Sequence, residues 1–217
     1  MKIYQVGGSI RDELLGEVPK DKDWLVVGSS PEEMIAEGYK PIGKDFPVFI
    51  HPISKEEYAL ARTEKKSGYG YKGFTFYFGK DVTLEEDLSR RDFTINAIYM
   101  DVRGKIFDPQ NGREDLKNNK VNFIGDPSKR IEEDYLRIIR FIRFKIMYDS
   151  KVETSTSLAI KLNLNGIKKI SKERILVELF KILDLKNFIN LNENEYLKEL
   201  FSLIFPEFDN LDRLRRL

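Results

Sequence analysis

Apolar and polar positions alternate in two different regimes along this chain. As far as Phe78 the apolar runs are short and strand-like: Lys2 to Val6, Trp24 to Val27, Val48 to Ile50, Glu57 to Ala61 and Phe74 to Phe78. Ser9 to Leu15 reads as a short helix, with Gly16 placed to cap its C-terminus. Trp24 to Val27 is a buried strand ended by Gly28-Ser29-Ser30-Pro31, where Ser30 caps a helix and Pro31 takes its first position. Arg62 to Gly73 is glycine-rich and basic, with nothing to build a core, and is expected to be a mobile loop. The character changes near the turn-forming run Asp108-Pro109-Gln110-Asn111-Gly112. After Pro127 the apolar residues recur at helical spacing: Leu136, Ile139, Phe141 with Ile142, Phe144 and Met147. Ile175, Leu176, Leu179, Phe180 and Leu183 mark another helix capped by Ser171, and Tyr196 to Ile204 one more. The pattern predicts an α/β half, residues 1–118, followed by an all-helical half, residues 119–217.

Composition changes this picture little. At 217 residues and 41% hydrophobic content the chain can bury a core as one ordinary domain or two small ones. The absence of cysteine removes disulfides, thiol catalysis and thiolate metal sites. The N-terminal apolar stretch is too short for a signal peptide and no segment has the length of a membrane span, so a cytoplasmic protein without a membrane partner is expected. With 37 basic and 36 acidic residues the net charge of +1 decides nothing about a nucleic-acid partner.

Four runs carry candidate chemistry. In Gly7-Gly8-Ser9-Ile10-Arg11-Asp12 the glycines admit a ligand close to the backbone, and the helix start with Arg11 suits a phosphate. In Asp21-Lys22-Asp23-Trp24, strand alternation points both carboxylates the same way, an arrangement suited to divalent ions roughly 3.5–4 Å apart bridging a triphosphate. In Arg90-Arg91-Asp92-Phe93-Thr94-Ile95-Asn96-Ala97-Ile98, read as a helix, guanidinium, carboxylate and amide groups could hold a ribose and a phosphate. Asp134, Arg137 and Arg140, spaced by three, line one side of a helix. An aspartate there accepts from the exocyclic amine of cytosine or adenine while an arginine donates to the ring nitrogen. Uracil and guanine reverse the pattern. Taken singly, the same runs also read as an ordinary turn, a solvated strand edge, an internal salt bridge and an ion-paired surface. No Walker-type loop occurs, which disfavours a P-loop nucleotidase.

Taken in order, these runs resemble the class II tRNA nucleotidyltransferases, the CCA-adding enzymes of the polymerase-beta-like superfamily and the poly(A) polymerase family, most closely the gamma-proteobacterial type. The resemblance also takes in Lys44-Asp45-Phe46-Pro47-Val48-Phe49, Tyr58-Ala59-Leu60-Ala61-Arg62-Thr63-Glu64, Asp108 to Gly112, Ser171 to Ile175 and Leu203-Ile204-Phe205-Pro206-Glu207, and so spans essentially the whole chain. It implies an α/β head with a mixed sheet, followed by a helical neck and partial body. It implies that Asp21 and Asp23 bind Mg2+ and are catalytic, and that Gly8, Arg11 and Arg91 hold the nucleotide, with Asp92 and Asn96 in support. Asp134 and Arg137 would read the base of CTP or ATP, and Arg140 would complete that pocket. tRNA would be the acceptor.

The chain departs from the pattern in three ways. Relatives of this type are longer and continue into a phosphohydrolase-like domain with a histidine-aspartate metal site. Here the only histidine is His51, read as structural, so that second activity is expected to be absent. Part of the surface that grips the tRNA elbow is expected to be missing, and Lys151, Lys161, Lys168, Lys169, Lys172, Arg213, Arg215 and Arg216 offer a basic face instead. Tyr135 stands where many relatives have proline. The intact Arg62–Gly73 loop favours addition of the full CCA end. CC- or A-only addition and poly(A) synthesis are the enzymatic alternatives, and a non-catalytic RNA-binding remnant is the alternative of another class.

Overall fold

A computed structural model describes residues 1–19, 21–42, 47–66, 74–185 and 195–204. Lys20, the Lys44-Asp45-Phe46 part of its run, Ser67 to Gly73, Phe205-Pro206-Glu207, and Arg213, Arg215 and Arg216 lie outside the described residues. The chain divides into two compact units, Met1–Asn118 and Asn119–Leu217.

The first unit is built on a mixed sheet with strand order β3-β4-β5-β2-β1-β8-β9. Its strands are β1 (Lys2–Val6), β2 (Asp23–Val27), β3 (Lys40–Pro41), β4 (Val48–Ile50), β5 (Glu57–Leu60), β8 (Tyr99–Asp101) and β9 (Ile106–Phe107). Every pairing is antiparallel except β2 with β5, where Asp23 lies opposite Glu57. One face of the sheet carries Val26, Phe49, Tyr58 and Leu60, covered by Met34 of α2 (Pro31–Ala36) and by Tyr39, with Ile3 and Trp24 at the margin. The other face carries the row that matters for chemistry: Asp23, Val6, Tyr99 and Phe107 are neighbours strand by strand. Residues in register share a face, so Asp23 stands mid-row between Glu57 and Val6, held by strands on both sides.

The helix starts follow local capping rules. Ser30 accepts from the Glu33 amide in a capping box with Pro31 in the first turn, and Thr83 does the same with Glu86 for α3 (Leu84–Ser89). α1 (Gly8–Leu14) ends with Gly16 at a φ of 78°, its amide bonded to the Glu13 carbonyl at 3.1 Å. Asp108 receives the amides of Gly112 and Arg113 at 2.7 and 2.9 Å, which closes the turn before α4 (Gly112–Lys117). A Cβ on Gly112 would lie 2.2 Å from the Thr94 carbonyl oxygen, so only glycine lets α4 approach there.

Two sequence expectations fail in this unit. Thr63–Lys66 is not part of a loop: it forms β6, antiparallel to β7 (Phe74–Tyr77), in a separate two-stranded sheet. Cross-strand hydrogen bonds order a segment whose polar composition gave no core face to detect. The run from Arg90 to Ile98 is not a helix either. α3 stops at Ser89, Thr94–Asn96 makes a single 3₁₀ turn, and Tyr99 opens β8. Phe93, Ile95, Ala97 and Ile98 are all buried, leaving no polar face for a surface helix, and the Asp92 side chain takes the Phe93 amide at 2.9 Å.

The second unit contains α5 (Pro127–Glu133), α6 (Leu136–Met147), α7 (Thr154–Asn163), a 3₁₀ segment (Leu164–Lys169), α8 (Lys172–Leu183) and α9 (Glu195–Ile204). Ile138, Ile139, Phe141 and Ile142 of α6 are buried, together with Ile131, Ile160, Ile175, Leu179, Ile182 and Leu200. The apolar stripe read for α8 is rotated. Leu176, Phe180 and Leu183 are exposed, whereas Ile175, Leu179, Ile182 and the acid Glu178 face inward; Met147 of α6 is exposed as well. Ser171 is the N-cap residue of α8, but its side chain makes no capping bond.

Candidate functional site

The first unit gathers most of its predicted polar residues around Asp23. β2 begins at Asp23, so Asp21 lies ahead of the ladder and strand alternation does not fix where it points. The two carboxylates are nevertheless close enough for the Asp21 charge to disfavour ionisation of Asp23. Burial is the larger influence raising the Asp23 carboxyl above its usual range; Arg91 and Arg11 work against it. Two aspartates and two arginines thus face one another within this group.

The glycine turn sits directly against this group. Gly7 has a φ of 78°, and a Cβ there would meet Asp23 Oδ2 at 3.4 Å. A Cβ on Gly8 would meet Arg11 Nη2 at 3.2 Å. Arg11 is buried, and its guanidinium donates to the Asn96 side-chain oxygen. The Asn96 amide donates onward to Asp92 at 2.7 Å. Arg91 donates to the Asn96 backbone carbonyl at 3.1 Å and lies over the Tyr99 ring, 4.9 Å from its centroid. Gly8, Arg11, Asp23, Arg91, Asp92 and Asn96, distant in sequence, thus form one connected cluster, and Asp21 flanks it.

The second unit treats its predicted residues differently. Asp134, Arg137 and Arg140 do not line one helix, because Asp134 sits at the break between α5 and α6 with extended backbone (φ −149°, ψ 105°). Its carboxylate accepts a two-pronged contact from Arg174 at 3.2 and 2.7 Å and the Leu136 amide at 3.2 Å. Arg137 is buried and donates to Glu133 at 2.6 Å and to the Arg130 carbonyl at 2.7 Å. Arg140 pairs with Glu178 at 3.5 Å, and Arg143 with the same acid at 2.8 Å. Tyr135, the departure from proline, packs its ring onto Gly166 so closely that a Cβ there would lie 2.1 Å away, and Lys169 stands over the ring at 5.3 Å.

The roles of three residues in these clusters escaped the sequence reading. Asp87 binds Arg90 and Arg91, and its signal was the spacing of three and four residues ahead of them. Arg174 and Glu178 hold Asp134 and Arg140; the signal for Glu178 was an acid on the inward face of an apolar stripe. His51 has the structural role expected. Its Nδ1 takes the Ser54 amide at 3.1 Å and its ring stacks on Tyr58 at 5.4 Å. Among the described residues no helix is long and apolar enough to cross a membrane. Lys151, Lys161, Lys168, Lys169 and Lys172 are all exposed.

Residues 3–122 match the family model described as the poly A polymerase head domain, and residues 151–211 the probable RNA and SrmB-binding site of polymerase A. The chain is 54% identical over 156 residues to the multifunctional CCA protein of Chromobacterium violaceum, covering 72% of this chain and 38% of that protein. It is similar to the Bacillus stearothermophilus CCA-adding enzyme in complex with CTP, with a TM-score of 0.75 and 32% identity, covering 92% of this chain and 47% of that one. It is also similar to a tRNA nucleotidyltransferase complexed with a primer tRNA and an incoming ATP analog, with a TM-score of 0.76 and 26% identity, covering 99% of this chain and 62% of the other. The chain therefore spans well under half the length of that curated relative and about half to three-fifths of these solved structures. The match over residues 3–122, running through the glycine turn, both aspartates and the Arg91–Asn96 cluster, places the chain in the poly A polymerase head-domain family.

Proposed function

We propose that the chain is a tRNA nucleotidyltransferase that builds the CCA end of tRNA from CTP and ATP. The observation that carries this reading is the gathering of Arg11, Arg91, Asn96 and the glycine turn around Asp23, with Asp21 beside it. Magnesium takes oxygen ligands and often only one or two carboxylates, filling its shell with water and substrate phosphates. Asp21 and Asp23 are oxygen donors of that kind, placed close together. Two carboxylates completed by substrate phosphate oxygens and water would make such a shell. Held by Asp21 and Asp23, such an ion would supply Lewis-acid activation of a hydroxyl and neutralisation of triphosphate charge.

The chain's own residues do the positioning. The Gly7-Gly8 turn lets phosphate approach the backbone, and Arg11 and Arg91 supply fixed cationic forks. Asn96 and Asp92 hold Arg11 so that little reorganisation is needed when the ligand arrives. The tRNA 3′-hydroxyl attacks the α-phosphate in line, and pyrophosphate leaves. Asp134 and Arg137 read the amine and ring nitrogen of cytosine or adenine, and Arg140 completes that pocket. The exposed lysines of the second unit, Lys151, Lys161, Lys168, Lys169 and Lys172, offer a phosphate-binding face for tRNA.

Labelled CTP and ATP supplied with end-trimmed tRNA test this reading, with Asp21→Ala as control. Incorporation that Asp21→Ala abolishes supports it, and product length separates CCA addition from CC, A or poly(A) addition. No incorporation by the unaltered protein, with tRNA still bound, would leave an RNA-binding role.

A further inference from the structure

Asp87 is fully buried near the end of α3, and none of the roles above uses it. Its two oxygens serve different neighbours. Oδ1 accepts from Arg90 Nε and Nη2 at 2.9 and 2.7 Å and from the Arg62 backbone amide at 3.3 Å. Oδ2 accepts from Arg91 Nε and Nη2 at 3.3 and 3.2 Å and from the Tyr99 hydroxyl at 3.2 Å. The first oxygen therefore serves the side of β6, and the second the cluster around Asp23.

The chain of contacts continues both ways. Arg90 Nη1 donates to Glu64 of β6 at 3.1 Å, and Arg62 Nε donates to the same oxygen at 3.1 Å. On the far side Arg91 reaches the backbone of Asn96, whose side chain holds Arg11. Three guanidinium groups thus share two carboxylates in a largely buried patch, where each charge depends on its neighbours far more than at a surface. Burial pushes the Asp87 carboxyl up, but Arg90 and then Arg91 outweigh it and keep it below the usual carboxylate range.

We propose that Asp87 is a positioning residue that makes the setting of Arg91 depend on β6, through the series Glu64–Arg90–Asp87–Arg91. If Glu64 is lost, Arg90 settles more fully on Asp87 and competes with Arg91 for it. The fork assigned to the nucleotide then leaves its working position. This rests on the proposed function, because it presumes that Arg91 meets a nucleotide.

The test is a double-mutant cycle on the full chain, reading the Kd for CTP with magnesium in Glu64→Gln, Arg91→Lys and the double variant, with thermal melting to confirm folding. Arg91→Lys keeps the charge but loses the two-pronged contact, so binding remains measurable. Glu64→Gln alone is expected to weaken CTP binding roughly three- to tenfold, and to change it little in the Arg91→Lys background. A direct charge effect of Glu64 on the triphosphate would instead tighten binding when the acid is removed, and would persist in both backgrounds. Either tightening or equal effects in the two backgrounds overturns the inference. Failure of the unaltered protein to bind CTP overturns the proposed function and this inference together. Intact CTP binding with additive effects overturns this inference alone.

Discussion

The two units hold their key side chains by opposite means. In Met1–Asn118 the residues around Asp23 share partners: Asn96 bonds Arg11 and Asp92, and its backbone takes Arg91. Strand register and the glycine turn place Asp23 and Gly8, while Arg11, Arg91 and Asp92 are tied to one another through Asn96. In Asn119–Leu217 each residue is held by an ionic partner: Asp134 by Arg174, Arg137 by Glu133, which Arg130 shares, and Arg140 by Glu178, which Arg143 and Lys181 share. Two of those partners stand one turn apart on α8, so a single helix face fixes two members of the set. The comparison teaches that one cluster is tied together through a shared amide side chain and its backbone, whereas the helical unit relies on ionic contacts, some of them shared between neighbouring arginines.

The largest effect that tests this contrast lies in the first unit. Asp23→Ala should reduce CTP and ATP incorporation by roughly a thousandfold while leaving the melting temperature near that of the unaltered protein. Loss of folding instead would mean that Asp23 is part of the scaffold. Next, Asp87→Asn should destabilise the first unit by ~3 kcal/mol at neutral pH, because it breaks a buried ionic group. The depressed carboxyl of Asp87 contributes stability above the ordinary aspartate value of about 3.9, and loses that contribution as pH falls through the lower folded value. The gap between variant and unaltered protein should therefore narrow as denaturation is followed from neutral into strong acid, and a gap that stays constant would rule this out.

In the second unit, Arg174→Met should free Asp134 and lower discrimination against UTP and GTP by about tenfold, with CTP incorporation itself less affected. Unchanged discrimination would show that Asp134 keeps its place without the fork, and the contrast between the units would weaken. The smallest expected effect compares caps. Ser30→Ala should cost ~1 kcal/mol in denaturant unfolding, because Ser30 accepts the Glu33 amide, whereas Ser171→Ala should be close to neutral.

Much of the first unit was legible because short apolar runs with glycine or serine ends specify strands and caps directly. β1, β2, β4 and β5, the Ser30 cap and the Gly16 terminator lie where the pattern put them, to within a residue. β6 was not legible, since a strand of polar residues in a two-stranded sheet has no buried face to create a period. The run after Arg90 misled for the reverse reason: its dense apolar residues suit a buried helix as well as the buried 3₁₀ turn and strand that form, and periodicity does not separate the two. The Asp134 set was found as residues but not as geometry, because the chain breaks at Asp134 without a proline or glycine to announce it. The α8 stripe was right at Ile175 and Leu179 but wrong at Leu176, Phe180 and Leu183, because Glu178, though charged, points inward among Arg140, Arg143 and Lys181.

The contact of Tyr135 with Gly166 bears on how this chain could be recombined with its relatives. A chimera whose junction falls between positions 135 and 166 takes the ring from one parent and its seat from the other. Tyr135 opposite any side chain at 166 collides, while proline opposite Gly166 leaves an empty notch. Crossovers outside that interval keep the ring and its seat together, so the joint between α5 and α6 and the turn after α7 are inherited as a single block.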